Sequence, residues 1–570
     1  MKFYTKKIYF ILFFLSAILF ANKIYSKESK IEYSQKNISN YLLGTISYNQ
    51  SNNKKSYKHL GKVKSLKDFH TNYNVNFIRT LILLDKFDEA YDFAEDSWDE
   101  DKIFFEGDLL LGIDALLQKK YRKAEKHFER LNTISSQNLL FADFLGNILI
   151  SWVKASENDQ KNSFRFLNKI PDRFNNLKQI QNSFLQCHFD TAKTETTFKN
   201  LIKNNEYDFS RYNFFLINYF ISKNKIYEAS EIFDKNIDNL NSKNLLIKQT
   251  GNFLKNNNSK KIIDFFNCAN PKDIIAEIFY VIANLYSSEK NYQLSNFYLK
   301  ISIMLNNRFL PNTALLAENY YNLKKYELSK KIYYSLKSIG NIYSWYSSKN
   351  IANIIYSIDG KEKSFLSLEK DFNLILDPNL EHLYEMANIY KDDEYYQKSI
   401  KYYSLALNKV KKDDPIIPKI LYRRGTSYER LDEWDKAESD LTESLKISPD
   451  QALVLNYLAY SWIEKRINLD KSLKMLKRAT ELKGNDGYII DSLGWAYYLN
   501  KNYEKAEFFL QRAVELMPSD PIINDHYADV LWMQNKMIQA RYFWKHALQL
   551  EESDQENIKK INKKIIFGIN

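Results

Sequence analysis

Apolar residues recur three and four positions apart along most of the chain. Ile490, Leu493, Gly494 and Tyr497 lie at i, i+3, i+4 and i+7, the signature of one helix face. After the connection LNKN, a second stripe runs through Ala506, Leu510, Ala513 and Val514. Pro518 ends that helix, and Asp520-Pro521 supplies a cap and a first-turn proline for the next. The pattern predicts two amphipathic helices joined by a tight turn.

The paired stripes recur with a constant offset of 34 residues. Gly494 aligns with Ala528, Ala506 with Ala540, Leu510 with Trp544, and Ala513 with Ala547. Upstream, Ala283, Ser295 and Leu299 map onto Ala317, Ser329 and Tyr333. Near the start, Gly44, Ser56 and Leu60 map onto Ile78, Ala90 and Ala94, then onto Gly112, Ala124 and Phe128. Small residues are required where two backbones cross closely, because a larger side chain would part the helices. One such pair cannot bury its apolar faces alone, so neighbours must stack into a solenoid.

Leu493-Gly494-x-x-Tyr497, Ala506-x-x-x-Leu510, Ala513 and Pro518 together resemble the tetratricopeptide (TPR) repeat. The usual early Trp is replaced by Ile490 and the usual Phe by Leu510. The match is strong over 421–551, good over 274–336 and 41–131, and weak elsewhere. Asn456-Tyr-Leu-Ala-Tyr-Ser-Trp462 followed by this block is also similar to exported TPR proteins of Gram-negative bacteria. The resemblance implies an all-α, TPR-type helix-turn-helix solenoid, a right-handed superhelix of 12–14 repeats. The expected layout is a divergent array over 37–270, central repeats over 271–377, strong repeats over 378–554 and a basic amphipathic capping tail over 555–570. The polar stretches SNNKK and KNNNSKK read as exposed loops.

The N-terminus departs from this pattern. Lys2, Lys6 and Lys7 precede an apolar run from Ile8 to Ala21, the order of a secretory signal peptide. The run falls short of the roughly 20 residues that span a bilayer comfortably. Residues 1–26 are therefore expected to be a signal peptide cleaved after Ala21 or Ser26, or else an uncleaved anchor. Either way the remainder crosses to the far side of the membrane. The periplasm is the expected location, with an inner-membrane-anchored form facing the periplasm as the alternative.

Composition agrees with long helices and few tight turns: of 570 residues, 13 are Gly and 9 are Pro. The formal charge of +12 invites a nucleic-acid reading, but only 14 of the 82 basic residues are Arg. Lys is dispersed among Asn, Ile and Tyr rather than clustered, as AT-rich codon usage produces, and no nucleic-acid partner is expected. Cys187 and Cys268 fit no metal spacing. They read most simply as two small buried hydrophobes, with a disulfide left open.

No catalytic constellation stands out. The seven histidines are scattered, and there is no HExxH, glycine-rich phosphate loop or GxSxG elbow. Cys187-His188-Phe-Asp190 is the nearest approach to a nucleophile with a base, but neighbours on a helix point about 100° apart. The expectation is a protein that is not an enzyme and holds no cofactor or metal.

What remains is surface. In TPR arrays the first helix of each pair lines the inner groove, on relative positions 2, 5, 9 and 12. In the strong repeats these positions select Lys419, Tyr422, Thr426 and Glu429, then Leu453, Asn456, Tyr460 and Ile463, then Tyr488, Asp491, Trp495 and Tyr498, then Ile522, Asp525, Asp529 and Trp532. Of these, Tyr422, Asn456, Tyr460, Tyr488, Asp491, Trp495, Tyr498, Asp525, Asp529 and Trp532 make the candidate groove. Aromatics offer large contact area at low entropy cost, and acids select basic ligands. Asp491 and Asp525 stand where carboxylate-clamping TPR domains carry cations, which argues against a C-terminal carboxylate as ligand. The expected function is a scaffold that binds a peptide or protein segment, with a component of an envelope secretion or polysaccharide-export machine as the alternative. Membrane contact is expected only through the N-terminal segment, if uncleaved.

Overall fold

The computed structural model describes residues 34–135, 144–203, 207–237, 244–256, 258–550 and 555–569. The expected export segment 1–26 lies outside them. Among the described residues the regular elements are thirty-one α-helices and three short 3-10 helices, with no strand.

Thirty of the α-helices form fifteen consecutive pairs, and the last, Gln555–Phe567, closes the chain. The pair Leu245–Lys255 and Lys260–Phe265 shows why fewer were legible: its second helix has six residues and a single buried position, Ile262. Both polar stretches read as loops in fact start helices. Asn53–Leu60 begins within SNNKK, where the Asn52 side chain accepts the Lys55 N–H as a cap. Lys260–Phe265 begins within KNNNSKK.

The repeat's small positions are packing positions. A Cβ on Gly494 would stand 2.6 Å from Leu510 Cγ, on Gly112 2.3 Å from Phe128 Cε1, and on Gly44 2.5 Å from Leu60 Cδ2. In each case the partner lies sixteen residues later, on the second helix of the pair. Where the second helix carries Ser instead of Ala, its hydroxyl is satisfied in place. Ser295 Oγ donates to the Ala283 carbonyl at 2.7 Å, and Ser329 Oγ to the Ala317 carbonyl at 2.8 Å. The turns are equally regular: Asp85, Lys119, Lys290, Lys324, Lys501 and Asn535 all adopt φ near +60° just past a first helix, the left-handed residue that ends many helices.

The chain divides into two compact units between Asn373 and Leu374. In the first unit one apolar core runs from Leu60 to Ile354 and continues through residue 270 without a break. This unit curls until its eighth pair meets its first two. Gln293 Nε2 donates to the Tyr48 carbonyl at 2.7 Å, Lys300 Nζ lies 2.7 Å from Asp85 Oδ2, and Tyr91 OH approaches Met304 Sδ at 3.9 Å.

Cys187 and Cys268 are joined in a disulfide with Cα atoms 6.0 Å apart, which corrects their reading as separate buried hydrophobes. The repeat brings together two residues that sequence spacing could not pair. In the second unit the core is built from the small and apolar positions of the strong repeats, Ala459, Leu493, Leu510, Ala528 and Trp544 among them, and extends to Ile561 of the last helix.

Candidate functional site

The strong repeats present four first helices in succession: Ile417–Glu429, Ala452–Glu464, Gly487–Leu499 and Pro521–Met533. Asp520 caps the last, its Oδ1 accepting the backbone N–H groups of Ile522 and Ile523 at 2.9 and 3.0 Å. On each helix the packing stripe faces inward and the neighbouring stripe carries the candidate residues.

Relative position 2 is open to solvent. Leu453 is 45% exposed, Tyr488 53% and Ile522 49%, so three consecutive repeats present an apolar side chain at the same place. The earliest of the four carries Lys419 there, with its ammonium over the Tyr384 ring.

The other candidate positions are half-buried or buried, and most are bonded to the neighbouring repeat. Tyr422 meets the Tyr457 ring edge-on, and Tyr457 OH donates to Glu429 Oε2 at 2.7 Å. Trp495 Nε1 donates to Glu464 Oε1 at 2.9 Å, and its ring lies parallel to Tyr498 at 4.6 Å and to His526 at 4.0 Å. Tyr460 is half-buried, and its hydroxyl is pushed above the usual phenol range by burial, with Glu464 and Asp491 adding to it. Burial raises Tyr498 as well, Asp529 reinforcing it. Asn456 keeps a buried Oδ1 that accepts no hydrogen bond among the described residues.

The three candidate acids are engaged internally. Asp491 is 6% exposed and both its oxygens lie 3.0 Å from His526 Nδ1. Burial alone would lower the His526 pKa, but Asp491, with Asp525 and Asp529 beyond it, outweighs burial and holds it above the ordinary value. Asp525 and Asp529 share Lys564 of the closing helix, Nζ lying 2.8 and 2.7 Å from their oxygens. Asp529 also accepts Trp544 Nε1 at 2.9 Å. Burial pushes Asp529 up to about 6, Asp525 adds to the rise and Lys564 opposes it.

Trp532 is covered by the same tail, its Nε1 donating to the Ile569 carbonyl at 3.2 Å. Gly568, at φ +76°, passes so close that a Cβ would stand 2.0 Å from Trp532 Cζ2. His526, Glu464 and Lys564 are the partners that sequence reasoning missed. His526 was one of seven scattered histidines and Lys564 one lysine of a basic run, and only the stacking of successive helices gives them an address.

Elsewhere the Cys187-His188-Phe-Asp190 run does not assemble a nucleophile. Cys187 is in the disulfide, the His188 ring lies between the carbonyls of Cys268 and Ala155 at 3.0 and 3.3 Å, and Asp190 pairs with Lys223 at 2.7 Å. Among the described residues no group of three or more His, Cys, Asp and Glu side chains could hold a metal ion, and no helix is long and apolar enough to cross a membrane.

The family profile described as "Tetratricopeptide repeat" matches residues 489–520. A TPR repeat-containing protein of Pseudomonas aeruginosa is 28% identical over 88 residues, which are 15% of this chain and 15% of that relative. Among solved structures, a thermophilic TPR protein of Thermus thermophilus aligns at 17% identity and TM-score 0.29, over 33% of this chain and 100% of that one. A MamA structure of Desulfovibrio magneticus aligns at 17% identity and TM-score 0.27, over 32% and 99%. The pilF structure of Pseudomonas aeruginosa aligns at 15% identity and TM-score 0.29, over 33% and 85%.

Proposed function

For a tetratricopeptide-repeat protein of this kind, a protein–protein interaction scaffold, we propose a non-enzymatic role in the cell envelope, binding an extended peptide segment along the first helices of the C-terminal repeats. The observation that carries the reading is the exposed apolar row Leu453, Tyr488 and Ile522. Packed helices stand about 8–10 Å apart, and a peptide in polyproline-II geometry advances about 3.1 Å per residue and turns once in three residues. Such a peptide along the row therefore offers every third side chain to one of these three residues. The Trp495–Tyr498 stack lies on the Gly487–Leu499 helix and extends the recognition surface.

Asp491, Asp525 and Asp529 enter this reading differently from the aromatics. Each is already held by His526 or Lys564, so they stiffen the stack and the ligand is recognised by apolar contact. Envelope location is supported by the basic-then-apolar order of the N-terminus and by the Cys187–Cys268 disulfide, a bond that persists in oxidising compartments.

The test is in-cell crosslinking of the tagged full chain followed by mass spectrometry, beside the Leu453→Ser/Tyr488→Ser/Ile522→Ser variant. A partner set lost from that variant, while its helical signal is retained, supports the groove; an unchanged partner set refutes it. Fractionation that leaves the chain in the cytoplasm removes the envelope assignment.

A further inference from the structure

Inside the curl of the first unit lies a cavity of about 320 Å³ that the repeat pattern did not announce. The helices Leu145–Ser156, Asn175–His188 and Pro271–Ser288 all contribute to it. Its walls are apolar, with Ile148, Ile180, Ile278 and Ile282 among them, and the half-exposed Leu285 stands at its rim.

One polar group in the lining is left without a complement. Glu277 is fully buried, and its Oε1 accepts from Arg211 Nη2 and from Tyr212 OH, the latter at 3.0 Å. Its Oε2 is buried and has no hydrogen-bond partner among the described residues. Of the other polar lining groups, Gln181 Oε1 accepts Trp152 Nε1 at 2.8 Å, the Tyr212 hydroxyl serves Glu277, Ser288 Oγ donates to the Leu285 carbonyl at 2.7 Å, and Asn284 is exposed to solvent. A buried carboxylate oxygen without a donor is uncommon in folded proteins and is normally met by water or ligand.

We infer that this cavity is a binding site for a small neutral amphiphile, an apolar chain or ring ending in a hydroxyl or amide N–H that donates to Glu277 Oε2. An apolar cavity of about 150 Å³ takes up one benzene, so this one has room for roughly a dozen heavy atoms. The head must donate, because Oε2 only accepts. It is neutral, because Arg211 already balances the Glu277 charge and a second cation would have to share it. A carboxylate head would bring acceptor against acceptor at Oε2, and the buried Arg211 Nη1, which also lacks a partner among the described residues, belongs to a residue outside the lining.

Equilibrium dialysis of the full chain against 1-octanol and against octanoate tests this. Octanol is expected to bind one equivalent, at least tenfold more tightly than octanoate. Val281→Trp, at a half-buried lining residue, fills the cavity and is expected to weaken octanol at least tenfold while the helical signal and cooperative unfolding are kept. Glu277→Gln presents an amide N–H in place of Oε2, since Arg211 holds the amide oxygen, and is expected to bring octanoate level with octanol or ahead of it. Octanol uptake unchanged in Val281→Trp, octanoate matching octanol on the wild type, or no uptake up to the solubility of octanol overturns the assignment.

Discussion

His526 and Asp491 form a buried pair across two repeats, the ring nitrogen 3.0 Å from both carboxylate oxygens and the Trp495 indole stacked at 4.0 Å on the imidazole. A histidine whose folded pKa is raised contributes stability that is full below the unfolded value, about 6.5, and is lost as pH rises through the folded value. Asp529 adds a loss of the same sign at lower pH: its carboxyl rises from 3.8 to about 6, so the folded state binds the extra proton between those values. The urea midpoint of the C-terminal repeats should therefore fall between pH 6 and pH 8, and His526→Gln should flatten that decline. His526→Ala strands Asp491 and should cost about 3 kcal/mol. A wild-type midpoint that rises over this range would contradict the assigned pair.

Gly494 tests the packing of a strong repeat directly. A Cβ there would lie 2.6 Å from Leu510 Cγ and 3.1 Å from the Leu510 backbone N, and the backbone atom cannot swing aside. Gly494→Ala should destabilise by about 1–3 kcal/mol, despite the better helix propensity of Ala. Gly425→Ala, whose Cβ meets nothing nearer than 3.2 Å, should cost less. Thermal unfolding of the two variants side by side gives the ranking, and equal midpoints would show that the helices part freely.

The closing helix Gln555–Phe567 seals the last repeat through Ile561, which is buried, and through Lys564 on Asp525 and Asp529. Ile561→Ala should cost about 2–4 kcal/mol locally. Ending the chain at residue 550 should leave the Trp544 face open and make the protein self-associate, as uncapped solenoids do. Sedimentation across a tenfold concentration range reads this, and a truncated chain that stays at one mass would deny the helix a capping role.

The fold was legible wherever small residues were forced by close backbone contact. Gly494 with Leu510, Ala528 with Trp544 and Gly112 with Phe128 repeat because any larger pair parts the helices, so the sequence preserves them and the period survives. Leu245–Lys255 with Lys260–Phe265 hid because a six-residue helix cannot show a period. In the groove, helical phase gives relative position 2, where Leu453, Tyr488 and Ile522 are exposed. It was not enough to find that Asp491 meets His526, or that Trp532 lies under Ile569, because those contacts join successive helices and depend on their stacking distance. The curl that brings Gln293 to Tyr48 lies further still from the reach of a 34-residue period. It sums small rotations over eight pairs, and no single repeat encodes it.

That curl also explains why Cys187 and Cys268 meet. They are 81 residues apart in the chain, and each follows its own repeat, yet the turn of the solenoid brings the end of Asn175–His188 against the segment that leads into Pro271–Ser288. Closing a loop of that length removes about 4 kcal/mol worth of unfolded-chain entropy on the loop-closure account. Cys187→Ser/Cys268→Ser should unfold at a lower temperature than the wild type, and dithiothreitol should lower the wild-type midpoint without moving that of the double variant. Intact mass after alkylation of the unreduced, unfolded protein should show no thiol modified. Two modified thiols in protein purified from an oxidising compartment would mean that the cysteines are unpaired, and would remove one of the two observations that favour export.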